Sequence, residues 1–160
     1  MNMQRLAVRV AILCLAITPA MAANDDSHTV TVDVVTINEL AITGGNVTLT
    51  INAAVAGADP TNDTDVSTTL AWTSNDTNTK KITVATDINP TYTLTVQATA
   101  TAGGTGLGAK TLTLAAGAQD FVGTIAQTVG NCTLTYTASA TAALGTGTDV
   151  HTVTYTLVDQ

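Results

Sequence analysis

The alternation that decides the fold reads Thr133-Leu134-Thr135-Tyr136-Thr137, with threonine at every second position and an apolar residue between. A period of two places the apolar side chains on one face of a β-strand and the hydroxyls on the other. Threonine is β-branched and polar, so it suits a strand face in contact with water. The same pattern recurs along the chain and predicts an all-β protein. It is found in Thr29-Val30-Thr31-Val32, Val47-Thr48-Leu49-Thr50-Ile51, Tyr92-Thr93-Leu94-Thr95-Val96, Leu112-Thr113-Leu114 and Thr152-Val153-Thr154-Tyr155-Thr156.

Turn signals divide the alternating stretches into eight or nine short strands without a long helix. Residues 57–66, rich in Asp, Asn and Thr, are predicted to form a polar loop. Residues 103–108 are glycine-rich and predict a flexible hairpin tip. The predicted strands are residues 29–37, 47–53, 68–73, 80–88, 92–101, 110–114, 132–142 and 150–158.

Residues 118–127 are the one long stretch that does not alternate. Phe121, Val122 and Ile125 have near-helical spacing, so we predict a crossover turn that can hold a short helix. Many short strands separated by turns are typical of a single Ig-like antiparallel β-sandwich with Greek-key connections. That is the fold we predict.

The N-terminus has the composition of a signal peptide. Arg5 and Arg9 precede a short apolar core at residues 10–17, and Ala20-Met21-Ala22 offers a small-residue cleavage site. We predict a signal peptide at residues 1–22 and a β-sandwich domain at residues 23–160. The apolar core is too short to span a bilayer, so no membrane insertion is expected after cleavage. The expected location is the periplasm, the extracellular medium or the cell surface.

The predicted mature domain is strongly acidic. It contains three lysines, no arginine and all twelve acidic residues, which gives a formal charge of −9. Contacts to phosphate come mostly from Arg and Lys, so this composition argues against nucleic acid and against anionic membrane surfaces as partners. The negative charge favours solubility and is compatible with bound cations.

One cysteine, Cys132, remains in the predicted mature domain, so an intrachain disulfide is not expected. Cys132 has the same strand parity as Leu134 and Tyr136, which predicts a small buried apolar residue. The alternative is an intermolecular disulfide, which an unpaired cysteine in a secreted protein permits.

Oxygen-bearing side chains cluster in one loop, which reads Asp59-Pro60-Thr61-Asn62-Asp63-Thr64-Asp65. Calcium binds six to eight oxygen atoms from such residues. The candidate calcium ligands are therefore Asp59, Asn62, Asp63 and Asp65. The alternative is a solvated polar turn, because the spacing does not match an EF-hand loop. No other cofactor is expected.

No catalytic constellation stands out in the sequence. The run Gly104-Thr105-Gly106-Leu107-Gly108-Ala109 has the form G-x-G-x-x-A, but it leads into a strand and not into the helix that a dinucleotide site needs. His28 and His151 are the only histidines, and neither lies beside a zinc-ligand or nucleophile pattern. We therefore expect no enzyme, with a hydrolase assembled from scattered Asp, His and Ser as the alternative.

The repeated Thr-x-Thr motifs also suggest ice binding, in which a flat array of threonines matches the ice lattice. Such an array needs a regular solenoid repeat. The motifs here are unevenly spaced along the chain and the intervening sequences do not match. Ice binding is therefore not favoured.

Residues 29–37 form an apolar-faced strand at the start of the predicted mature domain. A terminal strand of this kind can fill an open sheet edge in a neighbouring copy, through backbone hydrogen bonds and through side chains in pockets. Val30, Val32 and Val34 would be the residues in those pockets. The alternative is ordinary pairing within the same domain. We expect the chain to associate with itself or with another surface protein.

The small-residue, threonine-rich strands and the closing Val153-Thr154-Tyr155-Thr156-Leu157 resemble secreted bacterial fimbrial-type subunits, including the spore coat protein U group. This resemblance implies an Ig-like sandwich that polymerises by donating a terminal strand. The leading hypothesis is a secreted structural or adhesive surface protein, in its strongest form a filament subunit. The alternative is an extracellular binding module for carbohydrate or calcium, with residues 59–65 and Trp72 as its candidate surface.

Overall fold

A computed structural model describes residues 24–160, so the predicted signal peptide at residues 1–22 lies outside the described residues. The chain divides into two units, residues 1–33 and residues 34–160. Of the first unit, residues 24–33 are described; they are exposed and contain no helix or strand. All the elements below belong to the second unit.

Residues 34–160 contain nine strands and two short 3-10 helices. The 3-10 helices are Leu114–Ala116 and Ala142–Leu144. The strands are β1 Asn38–Thr43, β2 Asp63–Ser74, β3 Lys80–Thr86, β4 Thr93–Ala102, β5 Thr105–Gly106, β6 Lys110–Thr111, β7 Gln119–Ile125, β8 Thr128–Ser139 and β9 Val153–Asp159.

The strands form two antiparallel sheets. The first has the order β1-β2-β8-β4-β6 and the second has the order β5-β7-β3-β9. From β2 to β9, every connection passes from one sheet to the other. The prediction of an all-β antiparallel sandwich is confirmed.

The core consists of the apolar side chains that the two sheets turn toward each other. Cys132, Leu134 and Tyr136 on β8 are all buried, as their shared parity predicts. Cys132 has 0% of its surface exposed, and desolvation raises the pKa of its thiol to about 11. An intermolecular disulfide at Cys132 would therefore require the sheet to open.

The predicted strand at residues 29–37 is wrong for this structure, because the first strand begins at Asn38. The reason is the length of the partner strand. β1 pairs with β2, and the last pair of that ladder joins Asn38 to Ser74, where β2 ends. Residues before Asn38 have a strand-like sequence, but β2 does not extend far enough to pair with them.

The predicted strand at residues 47–53 is correct in its side-chain phase but wrong in its pairing. Val47 and Leu49 are half-buried and pack against the core, while Thr48 and Thr50 are exposed. No ladder forms along this segment among the described residues, and an isolated bridge joins Ala54, directly after the segment, to Pro60. Alternation fixes which side chains face inward, but it does not supply a hydrogen-bonding partner.

The prediction of a crossover turn at residues 118–127 is also wrong, since β7 occupies Gln119–Ile125. Its ladder with β3 shifts register twice, and Thr124 has a φ of 58°. Bulges of this kind place neighbouring residues on the same side of a strand. Phe121, Val122 and Ile125 are therefore all buried in a strand despite their helix-like spacing.

Two smaller boundaries also differ from the prediction. β2 begins at Asp63, so the second half of the predicted loop at residues 57–66 is strand, with a register shift between Asp65 and Thr68. Within the predicted hairpin tip at residues 103–108, Thr105–Gly106 pairs with β7 of the second sheet. The tip therefore bridges the two sheets.

Candidate functional site

Residues 29–37 carry a row of exposed apolar side chains. Val30, Val32 and Val34 are 71%, 81% and 72% exposed, respectively. None of these residues belongs to a strand in the part of the chain that the structure describes. Exposed apolar residues with high strand propensity and no strand partner mark a segment that can pair with another chain.

The end of this segment is held by Asn75, which lies directly after β2. The backbone N–H of Ile37 donates to Asn75 Oδ1 at 2.6 Å, and Asn75 Nδ2 donates to the carbonyl of Val35 at 2.9 Å. The backbone N–H of Asn75 also donates to the carbonyl of Ile37 at 3.1 Å. Asn75 therefore extends the β1–β2 contact past the last residue pair and fixes where the segment leaves the sandwich.

Among residues 24–160, two long edges of the sandwich have no neighbouring strand. In the sheet order, β1 and β6 are outermost in the first sheet, and β5 and β9 are outermost in the second. β5 and β6 have two residues each, whereas β1 has six and β9 has seven. β1 and β9 also contact each other, so the two long edges lie on the same side of the sandwich.

The core is incompletely covered on that side. Leu40 on β1 and Val153 and Leu157 on β9 pack against the core but remain half-buried. Val47 and Leu49, in the segment that forms no ladder, are half-buried in the same way. A further strand along this edge would find both unpaired backbone groups and apolar surface.

The edge of β9 lacks the features that discourage strand pairing. Such features include proline, charged side chains and bulges. β9 contains no proline and its one charged residue is Asp159, which forms an ion pair with Lys80.

Lys80 is buried and also pairs with Asp76 Oδ2 at 2.7 Å. Hydrogen bonds to both carboxylates raise the pKa of Lys80, so its charge is retained.

Three of the four predicted calcium ligands accept hydrogen bonds from other groups of the chain. Asp59 Oδ1 accepts from the N–H of Ala142 at 3.0 Å, and Asp63 Oδ2 accepts from the N–H of Thr50 at 2.6 Å. Asp65 Oδ1 accepts from the N–H and the hydroxyl of Ser67.

Asp59 and Asn62 line an open cleft of about 260 Å³, whereas Asp63 and Asp65 lie in β2. Within residues 24–160 no three His, Cys, Asp or Glu side chains are grouped closely enough to hold one metal ion. The structure therefore does not bring the four residues together as one ligand set. Calcium binding at these residues stays a prediction.

Several other polar side chains have hydrogen-bond partners within the chain. His151 Nδ1 lies 3.0 Å from the hydroxyl of Thr86, and the hydroxyls of Tyr136 and Tyr155 are 2.8 Å apart. Desolvation raises the pKa of both tyrosines. Asp87 and Asp149 accept backbone N–H bonds near the loop ends, and these bonds hold the pKa of each carboxyl below its usual range.

The sequence does not reveal the free edge of β9 or the role of Asn75. Ser74-Asn75-Asp76 is recognisable as a turn, but the partners of Asn75 lie 38 and 40 positions away. The strand order that leaves β9 outermost likewise depends on long-range pairing.

No protein-family model matches this chain, and neither a curated protein nor a solved structure shows significant similarity to it. Among the helices of the described residues, none has the length and apolar character needed to cross a membrane.

Proposed function

We propose that this chain is a non-enzymatic structural or adhesive surface protein that assembles by strand addition, with residues 29–37 as the donated strand. The observation that carries this proposal is the exposed row of Val30, Val32 and Val34 in a segment without a strand partner among the described residues. The predicted signal peptide at residues 1–22 supports export to the place where such an assembly would form.

The acceptor in this proposal is the free edge of β9 in a second copy. Its seven residues are a length that a nine-residue donor can span. Addition of a strand would pair the unpaired N–H and C=O groups of β9, and the donor valines would cover Val153 and Leu157. Backbone pairing supplies affinity in this mode, and the alternate side chains supply specificity.

Stable addition of the strand requires both the burial of the valines and the backbone hydrogen bonds. Burial of three valines supplies roughly 1.5–3 kcal/mol each, and each backbone hydrogen bond adds a net of about 0.5–1.5 kcal/mol. Association costs on the order of 4–15 kcal/mol in lost translational and rotational freedom. The valines alone fall within that cost, so stable addition requires the ladder with β9 as well.

The geometry of a donor and an acceptor on each copy determines the kind of assembly. When one surface of a copy binds a different surface of the next, the contact is heterologous and generates rings or open filaments. Each copy here would give residues 29–37 and receive at β9. A polymer of many copies, open or closed into a ring, is therefore the expected product.

The test compares two variants that add the same charge to opposite faces of the donor strand. Val30→Asp with Val32→Asp alters the apolar face, and Thr29→Asp with Thr31→Asp alters the hydroxyl face. Negative-stain electron microscopy of the purified protein should show polymers for the original chain and for the threonine variant. The valine variant should form no polymers.

Two results would contradict the proposal. The first is a chain that stays monomeric at every concentration examined, which would leave the exposed valines without a partner copy. The second is polymerisation by the valine variant to the same extent as by the threonine variant, because the apolar face would then be irrelevant to assembly.

A further inference from the structure

The outer face of the five-stranded sheet carries threonines aligned in rows. Thr43, Thr69, Thr133 and Thr99 are register partners across β1, β2, β8 and β4. A second row consists of Thr64, Thr137, Thr95 and Thr111 across β2, β8, β4 and β6. The uneven spacing of the motifs in sequence conceals this alignment, which only the strand order produces.

These threonines face away from the core because they alternate with buried residues such as Leu70, Leu134 and Val96. Several are fixed by bonds to one another. The Thr99 and Thr135 hydroxyls are 3.0 Å apart, and the Thr64 and Thr137 hydroxyls are 3.2 Å apart. A β-branched side chain with restricted rotation loses little entropy when another surface covers it.

The charge of this face differs from that of the rest of the protein. In a domain with twelve acidic residues, Glu39 at the edge strand is the only charged residue pointing outward from the described strands of this sheet. The outer face of the second sheet, in contrast, carries Lys81 and Asp120 as an ion pair at 2.9 Å. A face with a single charged residue, placed at its edge, is the part of an acidic protein where two copies meet with the least repulsion.

The apolar part of the same face supports contact with protein. Val129 on β8 is 71% exposed and is the register partner of Thr73, and Ala41 pairs with Ala71 in the adjoining row. Trp72 and Tyr136 in these strands are buried. The face therefore lacks aromatic side chains on which sugar rings could stack.

The size of the face also fits a second copy. Five strands at a spacing of ~4.8 Å, with an average length of about eight residues at ~3.4 Å each, give roughly 650 Å². Two such faces would bury about 1,300 Å² in total, which lies within the range of about 1,200–2,000 Å² for specific interfaces. Sheets that pack in this way lie ~10 Å apart with their strands nearly aligned.

We propose that the threonine face of the five-stranded sheet, whose one charged residue lies on the edge strand, is a self-association surface, which packs against the same face of a second copy. This contact is isologous, with the same surface on both partners, and it is independent of the donor segment. In a polymer built by strand addition it would join neighbouring polymers side by side.

The test measures association in a background without strand addition. Sedimentation velocity is recorded on the full chain carrying Val30→Asp and Val32→Asp, from micromolar to submillimolar concentration, with and without Thr133→Lys. Reversible dimers are expected in the background variant. Thr133→Lys places like charges opposite each other near the middle of the face, so it should weaken dimerisation by at least about tenfold.

The matched control is Thr83→Lys, because Thr83 is a half-buried threonine on the central strand β3 of the other sheet. It should leave dimerisation unchanged. A mixture of the Thr133→Lys and Thr133→Glu variants should regain dimers, since opposite charges then meet across the interface. The melting temperature of each variant confirms that it is folded.

The proposal is overturned by a background variant that stays monomeric, by equal effects of Thr133→Lys and Thr83→Lys, or by a mixture that does not regain dimers. None of these results depends on the donor segment, which the valine substitutions have already removed from the assembly.

Discussion

Thr68 and Thr86 are two buried threonines whose hydroxyl groups have opposite effects on the stability of the protein. Thr68 is 2% exposed, and its hydroxyl finds no hydrogen-bond partner among residues 24–160. Thr86 is also buried, but its hydroxyl pairs with His151. A buried polar group without a partner is destabilising by about 1–3 kcal/mol, whereas a satisfied one contributes net stability. Alternation identifies both positions as strand residues but cannot distinguish them.

The substitution Thr68→Val should therefore stabilise the protein, by about 1 kcal/mol, because it removes an unsatisfied hydroxyl while nearly keeping the side-chain shape. Thr86→Val is the matched control and should destabilise by about the same amount. Urea unfolding of both variants measures these changes. If Thr68→Val is as destabilising as Thr86→Val, the Thr68 hydroxyl has a partner and the account of this site is wrong.

The carboxyl of Asp76 makes stability depend on pH. Hydrogen bonds from the Lys80 ammonium and from the N–H of Asn78 lower its pKa from 3.8 to about 2. Because the folded-state pKa lies below the unfolded value, Asp76 contributes stability above pH 3.8 that is lost as the pH falls toward about 2.

Asp76→Asn should therefore lower the melting temperature at neutral pH and flatten its decline in acid. Thermal unfolding across the acid range measures both effects. Lys80→Met, which removes the partner of Asp76, should also reduce the acid dependence. Parallel melting curves for the original chain and Asp76→Asn at all pH values would show that the ion pair is not maintained in solution.

At the scale of elements, the sequence predicts side-chain faces better than backbone pairing. Residues 132–139 of the predicted strand 132–142 and residues 93–101 of the predicted strand 92–101 lie in β8 and β4, because a period of two is a local property of the chain. Residues 47–53 have the expected phase but no ladder. Residues 118–127 were mispredicted because register shifts in β7 change the period to one that resembles a helix. Partners and bulges depend on distant strands, which a local pattern does not encode.

Asn75 joins β2 to the base of the donor segment, and its removal tests this junction. Asn75→Ala deletes one acceptor for Ile37 and one donor for Val35. At about 1 kcal/mol for each hydrogen bond, the substitution should destabilise by about 1–2 kcal/mol and increase the hydrogen-exchange rates of residues 35–37.

Asn78→Ala is the control for that experiment. Asn78 lies in the same turn, and its side chain makes no hydrogen bond within the described residues. It should leave stability and exchange near those of the original chain. Equal exchange rates at residues 35–37 in both variants would show that Asn75 does not hold the segment.

For the whole molecule, composition and alternation are sufficient to predict the fold class but not to predict the candidate site. The acidic, threonine-rich chain predicts a sandwich, and the sandwich is found. The free edge of β9 and the threonine rows arise from the order of strands that are far apart in sequence. The donor segment is visible in the sequence, while the absence of a strand partner for it within residues 24–160 is visible only in the structure.

The central claim is that residues 29–37 form a strand on a second copy. Hydrogen exchange of their backbone amides tests it most directly, because an amide in a ladder is protected and an exposed one is not. We expect protection of residues 29–37 that increases with protein concentration and is absent from the Val30→Asp, Val32→Asp variant. If the amides exchange freely in the polymer, or if protection is independent of concentration, strand addition by this segment is contradicted.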